Sequence, residues 1–251
     1  MRIDLNADVG ESLGPWPMGD DARLIPLVTS VNVACGIHAG DPMMIERTIA
    51  RAVAARVAIG AHPGYPDLTG FGRRDMDLTP AEVEASVVYQ VGAVAAFARA
   101  AGTDLRHVKP HGALYNRAAR EPATAEAIAR AVRRCSNELM LVGLAGSALV
   151  AAGEAAGLTV INEAFADRAY EADGSLRSRR RPDAMLGTAA AAQQAVAIAR
   201  DGTVTAGDGS RLTIRADSLC VHGDSEDAVA IALAVRAALE AAGIEIVAVG
   251  R

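Results

Sequence analysis

Aromatic residues are scarce in this chain: three Phe, four Tyr and one Trp among 251 residues. A groove that stacks nucleic-acid bases needs aromatic platforms, so their scarcity argues against one and leaves Ala, Val, Leu and Ile to fill the core. Basic residues do not outnumber acids. Thirty Asp and Glu against 25 Lys and Arg give a formal net charge of -5, with no electrostatic footprint for nucleic acid. Cysteine is limited to Cys35, Cys135 and Cys220, and an odd, widely spaced set is not a disulfide framework and suits a reducing cytoplasm. No uninterrupted apolar run is long enough to span a membrane. The opening MRIDLNAD meets acids too early to be a secretory signal. The expectation is a cytoplasmic chain with neither membrane nor nucleic acid as partner. Three catalytic signatures are also missing: a Gly-Lys-Ser/Thr P-loop for ATP, a Gly-x-Ser-x-Gly elbow, and a Gly-x-Gly-x-x-Gly turn after the first strand.

Lysine is the scarcest basic residue. Of 25 Lys and Arg, Lys109 is the single lysine. Either it survived by chance among arginines, or it does a job that a planar guanidinium cannot, as a compact point charge whose pKa can be shifted.

What is present is alternation. Short apolar runs at Ile3–Ala7, Val31–Ala34, Val57–Ala61, His107–Pro110, Leu139–Val142, Leu158–Asn162, Ser218–Val221 and Ile244–Val249 read as strands. Helical stretches run at Met43–Ala55, Thr79 to about Ala101, Ala123–Arg134, Gly146–Ala156, Ala189–Ala199 and Ser225–Ala242. Asp41-Pro42 supplies an N-cap and first-turn proline, and Thr79 with Glu82 a capping box. Thr203 to Ile214 reads as a small excursion around a Gly-Asp-Gly turn. Seven or eight strand–helix repeats mean a parallel sheet covered by helices, either a closed (β/α) barrel or an open doubly wound sheet. The length suits one barrel domain over residues 1–251.

The polar residues favour one end of these strands. His38, His62, His111 and His222 each follow a strand directly or within a few residues, whereas His107 begins one. Parallel-sheet enzymes carry their sites at strand C-terminal ends. One such His is usually a hydrogen-bonded loop residue, but four together point to function. On the first strand Asp4, Asn6 and Asp8 alternate with Ile3, Leu5 and Ala7, so the polar three share a face. Asp4 reads as structural; Asn6, Asp8 and Glu11 are functional candidates. His107, Lys109 and His111 share parity and should all point inward. Glycine-rich loops frame these groups, and Arg73 and Arg74 in one of them have the fork to grip a carboxylate or phosphate, although a solvated pair is nearly as good a reading. Arg179, Arg180 and Arg181 read by default as solvated surface, with a partner or anion contact as the sharper reading, and Cys35 as a small buried strand-end residue rather than a nucleophile.

Six blocks carry a resemblance over nearly the whole chain: DLNADVGE from Asp4, NVACGIHAGDP from Asn32, GAHPGYPD from Gly60, VKPHGALYN from Val108, EAFADRAY from Glu163 and CVHGD from Cys220. In order and content they resemble the LamB/YcsF family. One stretch departs from the pattern, Met185 to Ala192, which is Ala-rich where a polar run is expected. The resemblance implies a barrel of the glycoside hydrolase/deacetylase type. It also implies the ATP-dependent opening of 5-oxoproline to glutamate, carried out with two other subunits, B and C. The missing nucleotide motif fits ATP bound on those partners. Phosphorylation of the lactam oxygen by the partners would leave this chain to bind the labile intermediate and deliver water.

On this reading Asp8 or His62 is the general base, and Lys109 and His111 stabilise negative charge at the carbonyl or phosphoryl oxygen. Arg73 or Arg74 holds a carboxylate, and Asn6, Glu11, His38, Asp167 and His222 complete the substrate ring. The alternatives are a metal-dependent amide hydrolase or deacetylase of a small sugar-like substrate, with a divalent metal on Asp8, His38, His62 and His222, and a non-catalytic subunit that regulates a partner.

Overall fold

The structure, a computed structural model, describes residues 1–225 and 227–250. Its elements in chain order are β1 (Arg2–Val9), α1 (Asp21–Leu24), β2 (Ser30–Ala34), α2 (Pro42–Ala55), β3 (Ala58–His62), α3 (Pro80–Ala100), β4 (His107–Val108), α4 (Gly112–Ala118), α5 (Pro122–Cys135), β5 (Met140–Leu144), α6 (Ala148–Ala155), β6 (Val160–Phe165), α7 (Thr188–Val196), β7 (Thr203–Thr205), β8 (Arg211–Thr213), β9 (Ser218–Val221), α8 (Ala228–Ala241) and β10 (Glu245–Ile246). Strands β1 to β6 and β9 pair in parallel, and β9 closes on β1 with Asp4 opposite Ser218 and Ala7 opposite Val221. The result is a closed seven-stave (β/α) barrel, which settles the choice between barrel and open sheet.

Local chemistry sets the boundaries. The Asp41 carboxylate accepts from the Met44 N–H and caps α2, which ends at Arg56 in the left-handed conformation, φ 58°. Thr79 and Glu82 form the expected capping box at the head of α3. By length and mean hydropathy (1.2) α3 could cross a membrane; in the barrel its Val83, Val87, Val91 and Val94 are buried, and it packs on α5 and β3.

Period-two alternation divides β1 as expected. Ile3, Leu5, Ala7 and Val9 join the apolar layer between strands and helices, while Asp4, Asn6 and Asp8 are buried inside the barrel. Such groups are tolerated only when paired. Asp4 accepts from Thr29 Oγ1 at 2.7 Å and from the Ser30 and Ser218 hydroxyls, which is a structural arrangement. His107 Nε2 lies 2.7 Å from Asn32 Oδ1. Gly60 on β3 makes room for that ring, because a Cβ there would collide with His107 Nε2.

Several elements differ from expectation. The last strand shortens to Glu245–Ile246 and pairs only with Arg2 and Ile3, before β1 meets β9; it is a flap on the barrel floor and not an eighth stave. Strand β6 runs three residues further than its apolar run, to Phe165. Helix α4 follows β4 within four residues and has no apolar run of its own to announce it. The excursion after α7 is the antiparallel hairpin β7–β8. Helix α8 starts at Ala228; Glu226, within the span read as its first turn, and Arg251 lie outside the described residues.

Candidate active site

Asp8, Glu11, His62, Arg73, Lys109, His111 and His222 line one pocket of about 650 Å³ at the C-terminal end of the barrel. Each comes from the last residues of a stave or the loop after it, which is why strand-end polarity located them. Asn6 lies deeper, beneath Lys109. His38 lies behind Glu11 and His111, fully buried. Asp167 lies behind His222. Arg74 does not join them: its side chain is 65 % exposed and is tied to Asp67 on the outer loop.

Lys109 is the hub. Its Nζ lies 2.8 Å from Glu163 Oε1, 3.0 Å from Asp8 Oδ1, 3.2 Å from Asn6 Oδ1 and 3.1 Å from Cys220 Sγ. Burial works against the ammonium, but the charges of Asp8 and Glu163 prevail and hold its pKa well above the usual lysine value. Burial likewise pushes Asp8 up, yet His62 and Lys109 outweigh it and keep that carboxyl well below the ordinary range. Glu11 goes the other way: burial, with Asp8 and Asp224 nearby, pushes it well above.

The histidines fall into two groups. His62 Nδ1 lies 2.7 Å from the Lys109 carbonyl oxygen and its Nε2 3.3 Å from Asp8 Oδ2. His111 Nε2 lies 2.8 Å from the Phe71 carbonyl oxygen, and the His111 ring stacks on His38 with centroids 3.8 Å apart. Burial pushes both His38 and His111 well below the usual imidazole value. With Glu11, these three form a buried His/Glu group able to hold a metal ion. His222 stands apart. Its Nδ1 is 2.9 Å from Asp167 Oδ1, and its backbone N–H donates to Asp167 Oδ2 at 3.0 Å. That pairing leaves His222 Nε2 for the pocket.

The pocket mouth is cationic. Arg73 and Arg179 both reach Asp224. Arg168 is 5 % exposed and, among the described residues, donates only to the carbonyls of Ala184 and Arg177; burial and the neighbouring Arg179 bring its pKa down to about 10.

Four of these groups escape sequence reasoning. Glu163 reads as lying just past a strand that in fact includes it, with Ile161 and Phe165 at the same parity. Tyr115, whose hydroxyl donates to Glu163 Oε2 at 2.7 Å, sits on the unannounced helix α4. Arg168 and Asp224 lie inside the matched blocks, where nothing in their spacing sets them apart. Cys35 is buried, and burial pushes its thiol up to about 12, which suits a strand-end filler and not a nucleophile.

The comparisons with known proteins agree with this architecture. Residues 3–251 match the model of the LamB/YcsF family. The chain belongs to that family. It is 57% identical over 247 residues to the A subunit of 5-oxoprolinase from Chloroflexus aggregans, covering 98% of each chain. It is 55% identical over 249 residues to the protein of the same name in Methylococcus capsulatus, covering 99% of this chain and 96% of that one. Among solved structures, the lactam utilization protein of Thermus thermophilus superposes with a TM-score of 0.93 at 48% identity, over 99% of this chain and 100% of that one.

Proposed function

We propose that this chain is the ring-opening subunit of an ATP-dependent 5-oxoprolinase. The observation that carries the reading is near-full-length identity above half to proteins named as the A subunit of 5-oxoprolinase. The pocket chemistry supports it. A five-membered lactam is a poor electrophile, so ATP is spent on its oxygen. The chain has no P-loop, so we place that step on partner subunits. The lettered name of the relatives implies at least one such partner, and the family resemblance two. With the lactam oxygen phosphorylated, water adds to the ring carbon, the C–N bond breaks and the nitrogen takes up a proton. The acyl phosphate left behind is hydrolysed by a second water to glutamate and phosphate.

This chain's residues divide that work. His222, with its Nδ1 proton held by Asp167, has the oriented lone pair at Nε2 that a general base requires. Asp8 and His62, put forward as base by the sequence, turn towards one another at 3.3 Å; Asp8 is better suited to accept a hydrogen bond from water than to take its proton. Lys109 holds Asp8 and Glu163 in place and presents its positive charge to developing oxyanion charge; His111, put forward for the same task by the sequence, is held neutral with Nε2 on the Phe71 carbonyl and has no free donor for it. Arg73, Arg168 and Arg179 form the anion end, for the substrate carboxylate or the transferred phosphoryl group.

The test is glutamate release from 5-oxoproline and ATP by the reconstituted subunits, with and without this chain. Removing a general base costs about 10²–10⁴-fold in rate, so His222→Asn should fall in that range and Asp8→Asn should also slow turnover. Near wild-type rates in both would sink the assignment and favour a non-catalytic, regulatory role.

A further inference from the structure

Hydrogen bonding within the protein leaves one wall of the pocket unfinished. His62 Nδ1 and His111 Nε2 each contact a backbone carbonyl, at 2.7 and 2.8 Å. A carbonyl oxygen only accepts, so each of those nitrogens carries its proton, and in a neutral ring the opposite nitrogen is a bare lone pair. Those opposite nitrogens, His62 Nε2 and His111 Nδ1, are 3.0 Å apart. Glu11 Oε1 lies 3.8 Å from His111 Nδ1 and 3.9 Å from His38 Nε2. His38 is 0% exposed, and neither of its ring nitrogens has a hydrogen-bond partner. Buried polar atoms are almost always paired; here, with neutral rings, His62 Nε2, His111 Nδ1 and Glu11 Oε1 converge as acceptors, with Asp8 Oδ2 3.3 Å from His62 Nε2, and His38 adds one N–H and one lone pair that meet no partner.

We propose that Glu11, His38, His62 and His111 form a site for one divalent transition-metal ion, zinc or a metal of similar ligand preference. Their ligating atoms all lie within 4.8 Å of one another. Tetrahedral zinc, with bonds of about 2.0–2.1 Å, separates its ligands by about 3.4 Å; the spacings of 3.0 Å between His62 and His111 and of 3.8 and 3.9 Å from Glu11 to His111 and His38 lie close to that, and none in the set exceeds 4.8 Å. Three imidazoles and a carboxylate suit zinc or cobalt better than magnesium or calcium. The two backbone carbonyls fix the tautomers in the way that outer partners of metal-bound histidines do. The loop after β3 is shaped to close on the group. A Cβ at Gly64 would lie 2.7 Å from His38 Nδ1, and one at Gly72, whose φ is +62°, would lie 2.8 Å from His111 Cδ2. His222 does not belong to the set by position: it groups with Asp8 and Cys220 instead. The four-residue group thus replaces the metal set of Asp8, His38, His62 and His222 drawn from strand ends alone. The site goes beyond the function proposed above and is defined by these side chains whatever the substrate.

The experiment uses the untagged full-length chain, stripped with a chelator and titrated with Co(II) and with Zn(II). It is read by elemental analysis, by cobalt's visible absorption and by thermal unfolding. We expect about one ion per chain, the absorption of a low-coordinate cobalt centre, and a Tm rise of roughly 5–10 °C at a hundredfold excess over Kd. Loss of an outer partner of a metal ligand costs about 10–100-fold in affinity, so loss of a ligand itself, in Glu11→Gln or His38→Gln, should weaken binding at least tenfold. His222→Asn should leave the stoichiometry unchanged. A wild-type chain that takes up no ion overturns the proposal in favour of a proton shared between His62 and His111. Equal weakening in His222→Asn and Glu11→Gln overturns the ligand set. Neither ATP nor any partner chain enters these measurements, so they stand or fall apart from the 5-oxoprolinase assay.

Discussion

Replacing Lys109 with methionine removes one ammonium and leaves two carboxylates behind. Glu163 is fully buried and Asp8 nearly so. Glu163 would keep the Tyr115 hydroxyl and the Asn6 amide, and Asp8 would keep the Asn32 amide at 2.8 Å, but neither acid would retain the cation that offsets its desolvation. Breaking a buried ion pair from one side costs about 3–5 kcal/mol, because the orphaned charge stays buried. In a chain of this size 1 kcal/mol moves Tm by about 2–4 °C, so Lys109→Met should melt roughly 6–20 °C lower. The assay is urea and thermal unfolding of wild type, Lys109→Met and Lys109→Met/Glu163→Gln. If the cost is an uncompensated charge, neutralising Glu163 returns at least about 1 kcal/mol, since a neutral amide is cheaper to bury than a carboxylate. If it is only lost packing, the second change adds its own penalty. A loss below about 1 kcal/mol in the single variant, or a double variant no more stable than the single, refutes the reasoning.

His107 is held neutral, with burial lowering its pKa to about 3, so below about pH 6.5 only the unfolded chain takes up this proton and stability falls with pH. Between pH 6.5 and 5 the difference is about 1.6 kcal/mol, and urea midpoints of His107→Gln should lose that much of the wild-type slope; an unchanged slope would show that His107 titrates normally. Burial pushes up the thiols of Cys35, to about 12, and of Cys220, well above its usual value, so an aromatic disulfide reagent at pH 8 should label only Cys135 in the native chain and all three thiols in urea; rapid labelling of two would contradict the burial. Arg74→Ala should leave KM for 5-oxoproline within about twofold, since its partner Asp67 lies outside the pocket. Arg168→Met should raise KM at least about tenfold, the loss expected of a charged hydrogen bond worth 1.5–3 kcal/mol; equal KM values would remove Arg168 from the anion end.

Much of the fold is legible in the sequence because it rests on local signals. The cap at Asp41, the box at Thr79 and Glu82, and the period-two face of Asp4, Asn6 and Asp8 are short-range features, and all three appear in the structure. What escapes depends on partners remote in sequence. Ile244 to Val249 reads as a full strand, yet only Glu245 and Ile246 pair, because β9 already occupies that edge of β1 from Asp4 onwards. Glu163 reads as a loop residue because its own charge ends the apolar run of β6. That charge is tolerated inside the strand only because Lys109, Asn6 and Tyr115, from three other elements, surround it.

The site is legible to a similar depth. Strand-end polarity names the pocket residues, but a list of residues does not give the direction of a lone pair. His62 and His222 look alike in sequence, each directly after an apolar strand. In space the first has Nδ1 bound to the carbonyl of Lys109 and turns Nε2 towards His111 and Asp8, while the second has Nδ1 bound to Asp167 and turns Nε2 to the pocket. We assign the first as a ligand and the second as a base from where Nε2 points, not from the partner of Nδ1. The partner that fixes each tautomer is a backbone carbonyl in one case and a carboxylate 55 residues away in the other, and a backbone carbonyl has no residue type for a sequence to display.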